Sequence, residues 1–473
     1  MSFKKVFFRN IFISGGYTFL AQFLSFLASL ITSRLLSPGD FGLVGLITVF
    51  SGFISVFSDS GITMAVIRSE YRDTYYRGLN TVSILIGIFL CFLFILLIYP
   101  ISLFYKNQDL LLPGIAISFL FIIRSVNVVP TAVLQKRLAF GVAGKALFFG
   151  VFASTISAIV MAYSGFTYWS LIWSQYIASI VTGLIIFSKT GFINPFVSKP
   201  VLFKSFYLAK ALIGSIMGFN MINYWARNAD NLIVGKYYST NDLGIYSRAY
   251  LMLMMPLTVI TAIFSSVMYP SLIKHKSEGG NVEKEYYFML KVISFINIPI
   301  ALVLILFPIQ FVSILWGNNW LAVAQLLPYF GLLVLTQTLV STLASIMVMH
   351  KLEKHLMYTG WINAVFMVSG IVFGATISLT AIAAFYSLSY ILLVLPLYIF
   401  YLFNYKLRTN ASVLGFWLPK LFLSAFIWVG IYFSVFQIIL VGLVVWIALI
   451  FWDARKELSA IQARLLPKPS KAL

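Results

Sequence analysis

Apolar runs of about 20 residues recur along the whole chain, separated by short polar gaps. Each run is long enough to cross a hydrocarbon core of about 30 Å as a helix. No period-2 alternation competes with them, which argues against a β-barrel. The pattern predicts fourteen helical spans, at 11–35, 40–67, 78–104, 110–135, 139–163, 166–187, 205–233, 240–269, 288–312, 319–348, 356–377, 379–403, 412–433 and 435–452. Composition agrees, with 61% hydrophobic and 10% charged residues, where soluble domains carry roughly 25% charged. The fold class expected is therefore an all-α polytopic membrane protein.

Charge adds an orientation. Lys and Arg cluster in every second gap, which is the positive-inside pattern. With the N-terminus in the cytoplasm, 27 of the 33 basic residues fall in inside segments. Arg68/Arg72/Arg77, Lys136/Arg137/Lys145 and Lys274/Lys276/Lys284/Lys291 are examples. The run 416–452 is apolar but for Lys420. Reading it as two short helices returns the basic tail, from Arg455 to Lys471, to the cytoplasm. Both termini are then cytoplasmic. The stretch after Lys4, Lys5 and Arg9 is too long for a signal peptide and ends in no small-residue cleavage site. The net charge of +20 reads as basic loops on an anionic leaflet, with no nucleic-acid partner. The single Cys91 leaves no intrachain disulfide.

A repeat divides the chain. SPGDFG at 37–42 returns as STNDLG at 239–244, and Arg34 matches Lys236 at the same offset. LLP at 111–113 returns at 326–328, where Lys136 aligns with Lys351. Six spans separate equivalent helices, so both halves share one topology. The expectation is two six-helix bundles, 1–200 and 201–405, in a parallel repeat. Two additional helices and the basic tail occupy 406–473.

Six basic residues escape the inside segments: Arg34, Lys106, Arg124, Arg227, Lys236 and Arg248. Asp59 and Asp230 also fall within spans. An ionisable group at membrane depth costs at least a few kcal/mol unless it faces an interior or water. Helical phase sorts them. On the seventh span Asn220, Asn223, Arg227, Asp230 and Asn231 share one face over roughly 16 Å. Gln22 belongs to a polar stripe on the first span, Thr48, Gly52 and Asp59 to one on the second, and Arg124, Asn127 and Thr131 to one on the fourth. These stripes are read as lining one hydrophilic cavity. The alternative is that small polar residues mediate helix packing. Arg34 lies off its stripe and reads as a snorkelling or capping residue. Arg124 sits on its stripe as a ligand contact or an internal pair. Arg227 binds substrate or neutralises Asp230 three residues on. Arg248 divides between cavity and structural pairing. Asp59 and Asp230 are candidates for proton or sodium coupling or for salt bridges.

No catalytic constellation, metal cluster, P-loop or cofactor motif competes. His275, His350 and His355 lie near inside loops. The chain is not expected to be an enzyme. With no nucleotide site, energy would come from an ion gradient, the membrane potential or downstream consumption.

The runs RLLSPGDFGLVGL (34–46), DSGITMAVIR (59–68) and RNADNLIVGKYYSTNDLGIYSRAYLMLMMP (227–256) resemble the polysaccharide transporter family. That family lies within the multidrug/oligosaccharidyl-lipid/polysaccharide exporter superfamily, and the likeness covers about residues 5–405. The resemblance is to flippases of the lipopolysaccharide O-antigen and colanic-acid type. It implies alternating access between two bundles. It also implies export of undecaprenyl-diphosphate-linked oligosaccharide to the periplasmic leaflet for O-antigen, capsule or exopolysaccharide, beside a polymerase and other glycan-assembly membrane proteins. By the resemblance, Arg124, Arg227 and Arg248 engage the diphosphate, with Lys236 a weaker candidate. Competing readings are an ion-coupled drug antiporter of the same superfamily, a lipid II flippase, and a membrane glycosyltransferase or polymerase. The excess of basic over acidic residues inside spans disfavours the antiporter. Short loops disfavour the glycosyltransferase or polymerase.

Overall fold

The computed structural model describes residues 3–59, 61–68, 73–264, 272, 279–408 and 411–465. Their side chains are described except at 3–15, 59, 73, 211–220, 222, 223, 226, 227, 262, 263, 353, 411–413 and 456–465. All regular secondary structure among the described residues is helical. The helices are α1 (Phe3–Leu35), α2 (Pro38–Asp59), α3 (Ile62–Arg68), α4 (Asp73–Tyr105), α5 (Leu111–Lys136), α6 (Phe140–Tyr163), α7 (Trp169–Thr190) and α8 (Lys199–Tyr237). Then come α9 (Thr240–Ile263), α10 (Val282–Leu306), α11 (Pro308–Leu315), α12 (Leu327–Val340), α13 (Leu343–Met349), α14 (Glu353–Ala375), α15 (Leu379–Ser389), α16 (Ala411–Tyr432) and α17 (Phe436–Leu465).

Among the described residues, thirteen segments are long and apolar enough to cross a membrane. They coincide with the expected spans other than the seventh. That span is α8, 39 residues long, whose central side chains fall outside the description. Large apolar side chains stand exposed along these segments, among them Phe89 at 62% and Leu184 at 64%. Hydrocarbon, not water, is the solvent such a surface suits. The chain is an all-α multi-pass membrane protein.

Four expected spans are broken, the ninth of them at Phe307 between α10 and α11. The second stops at Asp59 and resumes at Ile62, with Gly61 at φ +80°. Glycine reaches that left-handed region without a Cβ penalty, so the turn is possible inside an apolar run. The tenth begins as a 3-10 helix over Asn318–Gln325 and divides again between α12 and α13. The twelfth continues past α15 as π-helical turns, Tyr390–Val394 and Leu397–Lys406. Pro396 between them lacks an N–H and would clash with the carbonyl four residues back, and the wider turn relieves both. The apolar run 416–452 is indeed two helices, α16 and α17, turning at Ser434.

Contacts group the chain into two compact units, Met1–Ile245 with Leu315–Asn319, and Tyr246–Ile314 with Trp320–Leu473. In the first unit Ile62, Val66, Leu79, Val129 and Ala209 form a buried cluster joining α3, α4, α5 and α8. Small polar residues close the helix pairs. Ser83 Oγ donates to the Ser125 carbonyl at 2.8 Å, as such residues do between membrane helices. In the second unit Trp428 Nε1 donates to the Ala384 carbonyl and to Ser387 Oγ, both at 3.0 Å, tying α16 to α15.

The repeated hexapeptides are matching helix caps. Ser37 Oγ donates to Asp40 Oδ2 at 2.7 Å, and Asp40 N donates back to Ser37 Oγ at 3.2 Å. Ser239 and Asp242 repeat this at 2.7 and 3.1 Å. Each is a capping box that satisfies N-terminal N–H groups of the next helix. Asp40 also accepts from Tyr168 N at 3.1 Å, so one cap reaches the start of α7. Within the first unit the two caps cross at their glycines. A Cβ on Gly42 would lie 1.6 Å from the Thr240 carbonyl oxygen, and one on Gly244 would lie 1.9 Å from that of Pro38. Positions 38 and 42 are equivalent to 240 and 244, so the contact is reciprocal.

Candidate functional site

Some hydroxyls on and beside the expected polar stripes bond within their own helices. Thr32 Oγ1 donates to the Ala28 carbonyl, Ser33 Oγ to Ser29, Thr48 Oγ1 to Gly45 and Ser55 Oγ to Ser51. On α2, Gly52 faces Tyr224 of α8, whose hydroxyl donates to the carbonyls of Thr48 and Val49 at 3.2 and 2.6 Å. This part of the second stripe is a helix contact. Asp59 is the last residue of α2, and its side chain lies outside the described residues.

On α5 the outcome differs. Arg124 lies thirteen residues from the start of a 26-residue helix and is exposed. Its Nη2 donates to Gln175 Oε1 of α7 at 3.0 Å. One turn on, Asn127 Nδ2 donates to the Ser179 carbonyl at 3.0 Å. Gly183 lies so close that a Cβ there would meet Asn127 Oδ1 at 2.5 Å. Asn127 is half-buried and works as a fastener between α5 and α7. Thr131 Oγ1 returns to the Asn127 carbonyl at 2.6 Å. A guanidinium has five N–H donors, so the bond to Gln175 orients Arg124 without saturating it. An exposed cation at mid-span is costly against hydrocarbon and stable against a polar or anionic neighbour. The arrangement can hold a phosphate oxygen by charge-assisted hydrogen bonds.

The remaining candidates scatter. Gln22 is exposed on α1. Asp230 on α8 is 3% exposed, and its Oδ1 accepts from Asn231 N at 2.8 Å. The side chains of Asn220, Asn223 and Arg227 lie outside the described residues, so of the seventh-span stripe only Asp230 and Asn231 are described. Arg248 on α9, in the second unit, is 8% exposed and stacks 5.5 Å from the ring of buried Trp320. That contact suits a cation–π pair in a dry setting. Among the described residues no group of His, Cys, Asp and Glu could hold a metal ion.

Two exceptions to the charge pattern are helix-end clamps. Arg34 Nε donates to the Leu315 carbonyl at 3.3 Å, at the end of α11. Lys236 Nζ donates to the Phe104 carbonyl near the end of α4 and lies 4.1 Å from the Phe104 ring. Cations at C-termini offset the exposed carbonyls and the helix dipole. The capping role expected for Arg34 is the one seen.

Sequence reasoning passed over Gln175. Its signal was present, since Gln175, Ser179 and Thr182 repeat at helical spacing on α7. Lys420, the one charge expected in the apolar run 416–452, also has a partner that the sequence pattern does not show. Lys420 is 2% exposed and pairs with Asp453 at 3.0 Å, with its ammonium 3.4 Å from the Phe416 ring.

Comparison with known proteins places this fold. The sequence profile of the family described as "Polysaccharide biosynthesis protein" matches residues 31–325. A membrane protein in the cps region of Klebsiella pneumoniae is 26% identical over 315 residues, 64% of this chain and 63% of that protein. The lipopolysaccharide biosynthesis protein WzxC of Escherichia coli is 25% identical over 314 residues, 64% of this chain and 62% of its own length. This chain thus spans less than two thirds of the length of these relatives. Among solved structures, lipid II flippase MurJ in an inward closed conformation shares the fold, with TM-score 0.65 and 16% identity over 94% of this chain and 99% of that one. An inward-facing multidrug resistance MATE transporter of the MOP superfamily shares it at TM-score 0.58 and 14% identity, over 82% and 95%. Residues 34–46, 59–68 and 227–256, which carried the resemblance, all lie in the matched region, and the chain belongs to the family of polysaccharide biosynthesis membrane proteins, the polysaccharide transporter family.

Proposed function

We propose that this chain is a flippase for lipid-linked oligosaccharide. It moves undecaprenyl-diphosphate-linked units from the cytoplasmic to the periplasmic leaflet of a bacterial inner membrane, by alternating access, for surface polysaccharide synthesis. The observation that carries this reading is Arg124, exposed at mid-span and oriented by Gln175. A diphosphate crossing a bilayer needs cations at that depth, because an unpaired anion there is costly. Sugars need a polar path, and the prenyl tail can stay in lipid. Relatives named for lipopolysaccharide biosynthesis and for succinoglycan biosynthesis transport support the glycan class. In this reading the termini are cytoplasmic, a polymerase and other assembly proteins act beside the chain, and no bond is made or broken. Arg227 and Arg248 are the further substrate contacts, and Asp59 or Asp230 the sites of any proton or sodium coupling.

The test is deletion of the gene followed by complementation. Deletion should accumulate a lipid-linked oligosaccharide and remove surface glycan. Wild-type chain should restore the glycan, and Arg124→Ala should fail at normal membrane levels. Full glycan with Arg124→Ala removes that residue from the mechanism. No accumulation, with altered drug susceptibility, would replace the flippase by the antiporter reading.

A further inference from the structure

Beside the first unit's helix contacts lies a groove that the transport reading does not use. It runs between α2, α4 and α8 and encloses about 570 Å³. Its walls include Phe50, Phe53, Phe57, Phe89, Phe104 and Trp225, and every lining residue is apolar. The rings pack on one another: Phe53 and Trp225 lie 5.0 Å apart, Phe53 and Phe57 5.5 Å, and Phe50 and Trp225 6.1 Å. Ile54, Leu90 and Ile101 form a buried floor, at 4%, 3% and 6% exposure, while Phe89 and Leu97 stand exposed at 62% and 37%. The groove therefore opens along the outward face of α4. On that helix its lining runs from residue 89 to residue 104, roughly 22 Å at 1.5 Å per residue. That exceeds one leaflet's half of the roughly 30 Å hydrocarbon core.

One end carries a charge. The exposed Lys236 ammonium sits 4.1 Å from the ring of Phe104, itself part of the lining. It spends one N–H on the Phe104 carbonyl, and an ammonium has three. Lys236 belongs to the face that the basic loops avoid. A dry aromatic slot with a cation at its mouth matches an amphiphile with one anionic head and a hydrocarbon tail.

We propose that this groove holds one chain of an anionic phospholipid from the leaflet at the basic-poor face, with its phosphodiester beside Lys236. The chemistry disfavours other occupants. A drug cation would be repelled by Lys236. A peptide or glycan would bury hydrogen-bonding groups against walls that offer no polar partner. A diphosphate-linked glycan would bring sugars, which the apolar walls do not match. The site is independent of Arg124 and of the transported species. Its occupancy fills the space between α2, α4 and α8.

The test uses the full chain in phosphatidylcholine nanodiscs. Phosphatidylglycerol with brominated chains is titrated in, and tryptophan emission is read against brominated phosphatidylcholine. Bromine quenches nearby indoles, and Trp225 is one of ten tryptophans. We expect excess quenching by the anionic lipid that disappears in Trp225→Phe. Lys236→Gln should weaken the apparent affinity about five- to tenfold, and Lys236→Arg should restore it. Native mass spectrometry provides a second readout, in which wild type retains phosphatidylglycerol and the groove-filling Leu93→Trp does not. Equal quenching by both lipids, or an unchanged excess in Trp225→Phe, would overturn the proposal. A lipid-linked glycan retained in place of phosphatidylglycerol and lost in Leu93→Trp would overturn the choice of occupant.

Discussion

Replacing Gly42 by Ala tests the reciprocal crossing of the repeated caps. The added Cβ would lie 1.6 Å from the Thr240 carbonyl oxygen and 2.5 Å from its carbon. Both are backbone atoms, so no rotamer change removes the clash. Separation to beyond 3.0 Å, the limit of real Cβ contacts, moves the two helix starts apart by about 1.4 Å. Overpacking typically costs about 1–3 kcal/mol, and backbone against backbone puts this case at the upper end. Alanine returns up to ~1 kcal/mol in helix propensity, leaving a net loss of roughly 2 kcal/mol. The assay is the thermal unfolding midpoint in detergent, with Gly360→Ala as control, since nothing lies within 4 Å of a Cβ there. Gly244→Ala should behave like Gly42→Ala. Because both open one crossing, the double variant should lose less than the sum of the two. A wild-type midpoint for Gly42→Ala, or strict additivity of the pair, would refute the reasoning.

The remaining predictions concern caps and buried charge. Asp40→Ala should destabilise more than Asp242→Ala in the same assay. Each loses the carboxylate half of its capping box, worth about 0.5–1.5 kcal/mol, and Asp40 also loses its bond from Tyr168 N, worth about 1 kcal/mol more. Asp453→Asn strands Lys420, which is 2% exposed, and should cost about 3–5 kcal/mol. Lys420→Met should cost less, because Asp453 is 17% exposed and can reach water. Lys420→Met combined with Asp453→Leu should restore most of the loss. Equal losses for the two single variants would contradict this account.

The helices were legible because twenty apolar residues admit one hydrogen-bonded solution in lipid. Their interruptions were not. Gly61 at φ +80° and the π turns around Pro396 are set by local backbone and packing, to which a hydropathy count is blind. The repeat was legible as six letters, and its structural meaning as paired capping boxes follows from Ser and Asp three residues apart. The polar stripes misled in part. Phase places Thr48 and Gly52 on one face correctly, but cannot say whether a cavity or Tyr224 meets that face. Arg124 stood out as a charge at mid-span. Its partner Gln175 lies 51 residues away, a pairing only the fold brings together.

The Lys420–Asp453 pair also bears on how the chain is made. Lys420 precedes its partner by 33 residues. At roughly 5–20 residues per second, synthesis delivers Asp453 about 2–7 s later. During that interval α16 carries a lone ammonium six residues inside its apolar segment, Leu414–Tyr432, at a cost of up to the roughly 2.5–3.5 kcal/mol of the bilayer centre. Only when α17 follows can the charge be neutralised in place. The last two helices are thus expected to commit to the membrane together, as a hairpin that the translocon releases as one piece.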